Sequence, residues 1–251
     1  MARARPPRLE DTRRDWTRLG AEDPLWAVLT MPGKRGGRWD VEEFLATGRI
    51  DVAYTLRWLA ELGLPHHFER VLDFGCGVGR LSQALAHHAD EVIGVDIAAP
   101  MLDRARELDR SQGRCRYVLN EAADLSQFPA AYVDLVYCAL VLQHLPRPAI
   151  DRYLAEFIRV LRPGGVAVIQ LATRPLWTVK GTIWRIVPFR LIGWGQRRLL
   201  GYPAAMRMTP VPDGDVAALA GRHGAEIVAR SMDPTYTEDW HNTRFVLRRT
   251  G

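Results

Sequence analysis

The chain carries a glycine-rich turn placed between a buried strand and a helix. Residues 71–80 read Val-Leu-Asp-Phe-Gly-Cys-Gly-Val-Gly-Arg. The apolar run before the first glycine predicts a strand, and the apolar face of residues 80–87 predicts a helix. Glycines at 75, 77 and 79 allow a tight turn and let a ligand approach the bare backbone. Such a unit is typical of an open parallel sheet that binds a ligand beyond the carboxyl ends of its strands.

Apolar runs and helical patterns alternate through the rest of the central region. Strands are predicted at residues 70–74, 91–95, 115–118, 133–138, 166–171, 226–231 and 244–248. Helices are predicted at residues 80–87, 100–110, 151–161 and 215–223, and Arg162-Pro-Gly-Gly165 predicts the turn that ends the third of them. This alternation predicts an α/β, Rossmann-like fold with a mostly parallel sheet covered by helices on both faces.

Two segments lie outside this alternation. Residues 1–65 contain helical pieces at 41–46 and 52–62 and predict an N-terminal helical cap. Residues 174–212, rich in arginine and aromatic residues, predict an insertion after the fifth strand. We expect a single domain of 251 residues, consisting of the cap (1–65), the core (66–173), the insertion (174–212) and a C-terminal helix with strands (213–251).

The composition excludes several classes of protein. Hydrophobic residues make up 47% of the chain, which is too many for a disordered protein. There are 34 Lys and Arg against 29 Asp and Glu, but the arginines are spread along the chain, so we expect no nucleic-acid partner. No apolar stretch reaches the roughly 18 residues of a membrane span, so we expect no membrane partner, and we also expect no secretory signal at the N-terminus. Three cysteines without a CxxC pair favour a reducing cytoplasm, and we expect no zinc or other metal site.

The glycine-rich turn differs from the dinucleotide-binding pattern GxGxxG. That pattern requires a glycine where Arg80 stands, and Asp73 here precedes the first glycine. A pyrophosphate favours amides without a neighbouring carboxylate, whereas an acid suits a ligand that carries an ammonium group. Residues 68–172, about two fifths of the chain, resemble the class I S-adenosylmethionine-dependent methyltransferases. The resemblance implies a seven-stranded sheet with an antiparallel last strand, and S-adenosylmethionine as cofactor.

The resemblance also implies a set of cofactor contacts. Asp96 ends the second strand, where a carboxylate accepts both ribose hydroxyl protons. Met101 would lie against the adenine, with an ordinary core methionine as the alternative. Asp124 would meet the adenine amino group and the Leu125 amide a ring nitrogen, although Glu121 is an alternative acid. The predicted cofactor residues are Asp73, Gly75, Cys76, Gly77, Gly79, Asp96, Ile97, Met101, Asp124, Leu125 and Cys138.

Two histidines are candidate general bases. His144 follows the fourth strand, and in relatives of the family it lies near the sulfonium, where a neutral imidazole takes a proton from a hydroxyl or amine. The alternative is a histidine that only shapes its loop through a backbone hydrogen bond. His241 is the second candidate, in the loop between the last two strands, where Glu238 and Asp239 are further acceptor contacts. The predicted substrate contacts are Trp26, Gln143, Trp177 and Tyr236.

The insertion would form a lid over the rim of the site, with aromatic side chains enclosing the acceptor. An interface with a second subunit, giving a homodimer, is the alternative. For Trp26, core packing is the alternative.

We therefore predict a metal-independent methyltransferase that acts on a hydroxyl or amine of a small molecule, with bacterial secondary metabolism as the expected setting. Ala139-Leu-Val-Leu142 stands where a base-modifying nucleic-acid enzyme carries an NPPY-type tetrad. Two alternatives remain at this point. One is a relative that uses the cofactor without transferring its methyl group, and the other is a nicotinamide-dinucleotide oxidoreductase.

Overall fold

A seven-stranded sheet forms the centre of the computed structural model, which describes residues 8–233 and 239–251. The strands are β1 (Phe68–Phe74), β2 (Ala89–Asp96), β3 (Cys115–Leu119), β4 (Val133–Cys138), β5 (Leu161–Pro175), β6 (Ala225–Met232) and β7 (Trp240–Arg249). Their order is β3-β2-β1-β4-β5-β7-β6. The first five are parallel, and β7 runs antiparallel to both of its neighbours. The predicted fold, mostly parallel with an antiparallel last strand, is confirmed.

Helices flank this sheet. They are α1 (Leu9–Glu22), α2 (Pro24–Val28), α3 (Val41–Glu61), α4 (Arg80–Leu85), α5 (Ala99–Leu108), α6 (Arg147–Val160), α7 (Val179–Ile186), α8 (Phe189–Arg198) and α9 (Asp213–Arg222). None of the helices in the described part of the chain is long and apolar enough to cross a membrane.

Two elements differ from the sequence prediction. The helical pieces predicted at 41–46 and 52–62 form one helix, α3. Gly48 lies within it, at a position where a side chain would collide with the carbonyl oxygen of Arg80. The turn predicted at 162–165 lies within β5, as an irregularity in its pairing with β4. In both places a glycine allows close packing or a bulge and does not end the helix or strand that contains it.

Both faces of the sheet are buried. Leu72, Ile93 and Val136 lie on the face covered by α6. Val71 and Val92 lie on the opposite face, against the apolar sides of α3 and α4. Since helices cover both faces, the carboxyl edge of the parallel strands is left for ligands.

Candidate active site

The glycine-rich turn between β1 and α4 adopts a backbone that only glycine tolerates well. Gly75, Gly77 and Gly79 have φ angles of +72°, +54° and +78°. A side chain at Gly75 would collide with Val141, and a Cβ at Gly77 would lie 2.8 Å from Cγ2 of Val28. The turn therefore brings bare backbone against the loop after β4 and the end of α2.

A cavity opens beside this turn, and we call it the glycine-loop cavity. Six of the predicted cofactor residues line it, namely Gly75, Cys76, Gly77, Asp96, Ile97 and Met101. Leu9, Thr12 and Trp16 of α1 cover it from the cap. The sequence analysis missed these α1 residues, although their three- and four-residue spacing is that of one helix face. Burial raises the pKa of the Cys76 thiol well above its usual range, so this side chain is no nucleophile.

Asp96, at the end of β2, has the geometry of a diol acceptor. One carboxylate oxygen accepts the Gly77 amide at 2.9 Å, and the other accepts the Ala98 amide at 2.9 Å. A carboxylate accepts about four hydrogen bonds in all, so these amides leave acceptor capacity for a hydroxyl donor. The backbone contacts hold it at the cavity wall, where the sequence prediction put it.

Asp73 lies elsewhere than predicted. Its carboxyl is buried beneath the turn and accepts the Ser82 hydroxyl of α4 at 2.6 Å, and it does not line the cavity. Burial raises the pKa of Asp73 from 3.8 to about 7. The expected contact with an ammonium group does not fit this placement, because strand alternation turns the side chain toward α4. Asp73 instead connects β1 to the first turn of the following helix.

This raised pKa predicts a dependence of stability on pH. Between about 4 and about 7, the folded chain keeps a proton on Asp73 that the unfolded chain releases, so the free energy of unfolding falls as pH rises. Asp73→Asn removes this effect and keeps an acceptor for Ser82. Urea unfolding without cofactor should show the wild type losing roughly 2–3 kcal/mol relative to the variant between pH 5 and pH 8. If the free energies of unfolding of the wild type and the variant changed equally between pH 5 and pH 8, the raised pKa of Asp73 would be contradicted.

The residues predicted to meet the adenine after β3 have other partners. The Asp124 carboxylate accepts the amide and hydroxyl of Ser126, at 3.2 and 2.8 Å, and the Leu125 amide donates to Glu156 at 2.8 Å. Neither residue lines the cavity, and the alternative acid Glu121 forms an exposed ion pair with Arg13. In the segment after β3, Asn120 lines the cavity. The sequence could have indicated this residue, because Asn120 lies just beyond the predicted third strand.

Two more predicted cofactor residues lie behind the wall. Cys138 is fully buried in the core on the α6 face of the sheet, and its neighbour Ala139 lines the cavity instead. Gly79 is the residue before α4, and a Cβ there would lie 2.6 Å from the Tyr117 hydroxyl oxygen. Gly79 shapes the turn and Cys138 packs in the core, and neither lines the cavity.

His144 is held in one tautomer in the short 3-10 turn after β4. Its Nδ1 lies 2.6 Å from the carbonyl oxygen of Arg207. Because a carbonyl only accepts, Nδ1 donates and Nε2 keeps its lone pair. Burial lowers the pKa of His144 from 6.5 to about 4, and the Trp16 ring lies edge-on at 5.1 Å. The imidazole is therefore neutral at pH 7, in the form that a general base requires. The sequence analysis gave a backbone hydrogen bond that only shapes the loop as the alternative role of His144. That hydrogen bond is present, and it also selects this tautomer.

A second cavity, of about 660 Å³, lies between the cap and the insertion, and we call it the insertion cavity. Its apolar walls include Met31, Trp184, Tyr202, Met206, Met208 and Trp240. The two cavities share three lining residues, Val28, Leu140 and His144. His144 thus stands where the two cavities meet.

Gln143 faces the insertion cavity with an unused acceptor. The residue is 3% exposed and lines the cavity, and its Oε1 has no hydrogen-bond partner within residues 8–233 and 239–251. A buried acceptor without a donor costs free energy that a ligand hydroxyl recovers. This supports its prediction as a substrate contact.

Other predicted acceptor contacts point away from this cavity. Trp240, Asn242 and Arg244 on β7 line it, so the alternation of the strand puts His241 on the opposite face, where Nδ1 lies 3.0 Å from the Thr173 hydroxyl. Trp177 is 78% exposed and lines neither described cavity. The second histidine and this tryptophan are therefore misplaced for the roles predicted from sequence.

Trp26 is buried, with its ring 4.9 Å from that of Tyr202, so the core-packing alternative applies. Tyr236 and Glu238 lie outside the described residues. Asp239 lines the insertion cavity, as expected.

A buried ion network forms one side of the insertion cavity. Arg244 donates to Asp51 of α3 at 2.9 Å and to Asp233 at 2.6 Å, and Arg80 of α4 lies 3.4 Å from the other Asp51 oxygen. The network joins the cap to the sheet, and sequence analysis missed it because its members lie far apart along the chain. Among the described residues, no three His, Cys, Asp or Glu side chains are grouped so as to hold a metal ion.

Comparison with known proteins identifies the family. Residues 71–165 match the family model described as a methyltransferase domain. Over 232 residues, 90% of this chain, the sequence is 35% identical to the ubiquinone biosynthesis O-methyltransferase of Psychrobacter arcticus and covers 83% of that protein. The chain belongs to the class I S-adenosylmethionine-dependent methyltransferases.

Solved structures of this methyltransferase fold superpose on most of the chain. Magnesium protoporphyrin IX methyltransferase from Synechocystis, with bound S-adenosylmethionine, gives a TM-score of 0.64 at 19% identity, covering 99% of this chain and 100% of that one. The N-methyltransferase NodS from Bradyrhizobium japonicum, with S-adenosylhomocysteine, gives 0.62 at 17% identity, covering 96% and 100%. The enzyme is a methyltransferase, and its cofactor is S-adenosylmethionine. This sets aside the nicotinamide-dinucleotide oxidoreductase alternative.

Proposed function

We propose that this methyltransferase acts on a hydroxyl oxygen of a small, largely apolar molecule seated in the insertion cavity. The observation that carries the proposal is the position of His144, which lines both cavities in the tautomer of a base. The relative in Psychrobacter arcticus is named an O-methyltransferase of ubiquinone biosynthesis, which supports oxygen as the target. A catechol-like or quinol-like ring with an apolar substituent fits the methionine and tryptophan walls. This is a narrower acceptor than the secondary metabolite expected from sequence.

The residues that line the glycine-loop cavity match the chemistry of S-adenosylmethionine. Gly75 and Gly77 line it with bare backbone, and the Asp96 carboxylate at its wall would accept hydrogen bonds from the ribose hydroxyls. Ile97 and Met101 add the apolar surface that a flat purine requires. When bound, S-adenosylmethionine supplies an electrophilic methyl group on a sulfonium. Alignment of the acceptor with this group provides most of the rate enhancement.

His144 serves as the base in this proposal. The bound cofactor would supply the methyl group to the acceptor oxygen, and its sulfur would keep the electron pair of the broken C–S bond. The hydroxyl proton passes to Nε2, while Nδ1 keeps its hydrogen bond to Arg207. The burial that lowers the pKa of His144 ensures that Nε2 is unprotonated before the reaction.

Gln143 would accept a hydrogen bond from a hydroxyl of the acceptor. Gln143→Leu keeps the volume of the side chain and removes the acceptor atom. Loss of one such hydrogen bond should raise the KM for the acceptor roughly tenfold, with the Kd for S-adenosylmethionine unchanged. Steady-state kinetics with the acceptor found in the screen below, together with calorimetry for the cofactor, measure both. An unchanged acceptor KM would place the acceptor away from Gln143.

A screen for methylated products tests the proposed function. Purified enzyme and S-adenosylmethionine are incubated with alkylated catechols and hydroquinones, and with amines of similar size as the comparison set. Mass spectrometry should show a mass gain of one methylene group on phenolic acceptors. Consumption of the cofactor with no such product would instead favour a relative that does not transfer methyl groups.

A further inference from the structure

Helix α7 presents an apolar stripe to solvent. Val179, Ile183 and Ile186 lie three and four residues apart, which is the spacing of one helix face. They are 82%, 42% and 70% exposed. The opposite face packs inward through Trp184, whose ring lies 5.7 Å from that of Trp240. A surface helix usually turns its apolar face to the core, whereas α7 exposes this apolar face to solvent.

Helix α8 repeats this arrangement. Its inner face lies against residues 205–206, since Gln196 exchanges hydrogen bonds of 2.9 and 3.2 Å with the backbone of Met206. Leu191 and Trp194 are 62% and 53% exposed on the outer side. Leu199 and Leu200, just after the helix, are exposed as well. We call the exposed apolar residues of these two helices, together with Leu199 and Leu200, the α7–α8 surface.

The same segment is strongly basic. Residues 174–212 contain seven Lys or Arg and no Asp or Glu. The rest of the chain carries 27 basic against 29 acidic residues, so the whole positive excess of the protein lies in this segment. Lys180 faces Asp239 at 3.7 Å, whereas Arg190 and Arg198 are exposed with no carboxylate within 4 Å in the described ranges.

The α7–α8 surface adjoins the insertion cavity. Trp184 of α7 and Gln196 of α8 line that cavity from their inner sides. Exposed apolar residues of the cap, Met31 and Ile50, also belong to its lining. A molecule at the outer surface of these helices is therefore close to the entrance of the acceptor cavity.

We propose that the α7–α8 surface docks on an anionic phospholipid surface, with its apolar side chains in the headgroup boundary and its arginines against lipid phosphates. Exposed apolar residues flanked by basic ones are what interfacial helices present to such a surface. This replaces the expectation from sequence that no membrane is involved. Entry of an apolar acceptor from the lipid rests on the proposed function, whereas the docking itself does not.

A second copy of the chain fits this surface less well. A symmetric dimer brings the same patch of both subunits together. Two segments that each carry seven positive charges and no acid would then repel each other. Anionic lipid supplies the missing negative charge.

Vesicle sedimentation with the full chain, in the absence of cofactor and acceptor, tests the docking. The wild type should bind vesicles of phosphatidylglycerol and phosphatidylcholine, release them at high salt, and not bind phosphatidylcholine alone. Arg190→Gln with Arg198→Gln should weaken binding roughly 25-fold, since each removed charge accounts for about a fivefold change. Ile186→Ser with Leu191→Ser should also weaken it. Both pairs are exposed, so circular dichroism should show an intact fold.

The matched control is Arg152→Gln with Arg222→Gln, two exposed arginines on α6 and α9. It should bind as the wild type does. Absence of binding, or equal loss in the control, would overturn the proposal. A dimer seen by light scattering that Ile186→Ser with Leu191→Ser dissociates, with no vesicle binding, would assign the surface to a second copy. Methylation of a water-soluble phenol is measured separately, so failure of docking and failure of the proposed function are distinguishable.

Discussion

His144→Ala should lower kcat at least about a hundredfold while leaving the Kd for S-adenosylmethionine nearly unchanged. The substitution removes the only described histidine that lines both cavities, and with it the acceptor atom Nε2. The matched control is His241→Ala, because His241 lies on the opposite face of β7. Steady-state rates and calorimetric titration of both variants check the prediction. A fully active His144→Ala enzyme would show that no base is needed and that alignment of the acceptor with the methyl group accounts for the rate enhancement.

The pH profile gives a second view of the same residue. The base must be neutral, and burial lowers its pKa to about 4, so kcat/KM should not fall between pH 7 and pH 5 on account of His144. The acid limb should appear only as pH approaches about 4. A limb near pH 6.5 would indicate an unperturbed histidine and contradict the buried geometry.

Asp96→Ala should weaken the binding of S-adenosylhomocysteine at least about a hundredfold. The reason is the loss of two hydrogen bonds to a charged acceptor, each worth about 1.5–3 kcal/mol. Part of the loss also comes from the glycine-rich turn, since Asp96 holds the Gly77 amide. Isothermal titration calorimetry measures the change without turnover.

Asp124→Ala is the control for this prediction. Its carboxylate accepts from Ser126 and does not line the glycine-loop cavity, so binding of S-adenosylhomocysteine should change little. Equal losses in Asp96→Ala and Asp124→Ala would restore the sequence-based placement of Asp124 at the adenine. If Asp96→Ala bound S-adenosylhomocysteine as tightly as the wild type does, Asp96 would not be the acceptor of the ribose hydroxyls.

The sheet and the glycine-rich turn could be predicted because their signals are local. Strands buried on both faces are continuous apolar runs, and the turn before α4 requires the positive φ angles that Gly75, Gly77 and Gly79 supply. His144 and Asp96 could be placed because each follows directly on a strand whose carboxyl end faces the ligand. Position along a parallel strand was sufficient information for these residues.

Side-chain direction was harder to predict. Asp73 and His241 lie on strands next to the site, but alternation turns one toward Ser82 and the other toward Thr173. Asp124 is taken up by a local turn with Ser126. The ion network around Asp51 joins residues far apart along the chain, since Asp51 and Arg244 are separated by 193 positions. Nothing in a local pattern indicates such pairings.

The proposal that His144 is the base for methylation of a hydroxyl oxygen is tested most directly by the atom that receives the methyl group. A ring carrying both a hydroxyl and an amine is incubated with the enzyme and S-adenosylmethionine labelled with carbon-13 in its methyl group. The NMR spectrum of the product should show the label as an O-methyl group, and His144→Ala should nearly abolish it. Label on nitrogen or on carbon, or cofactor binding with no label transferred, would contradict the account.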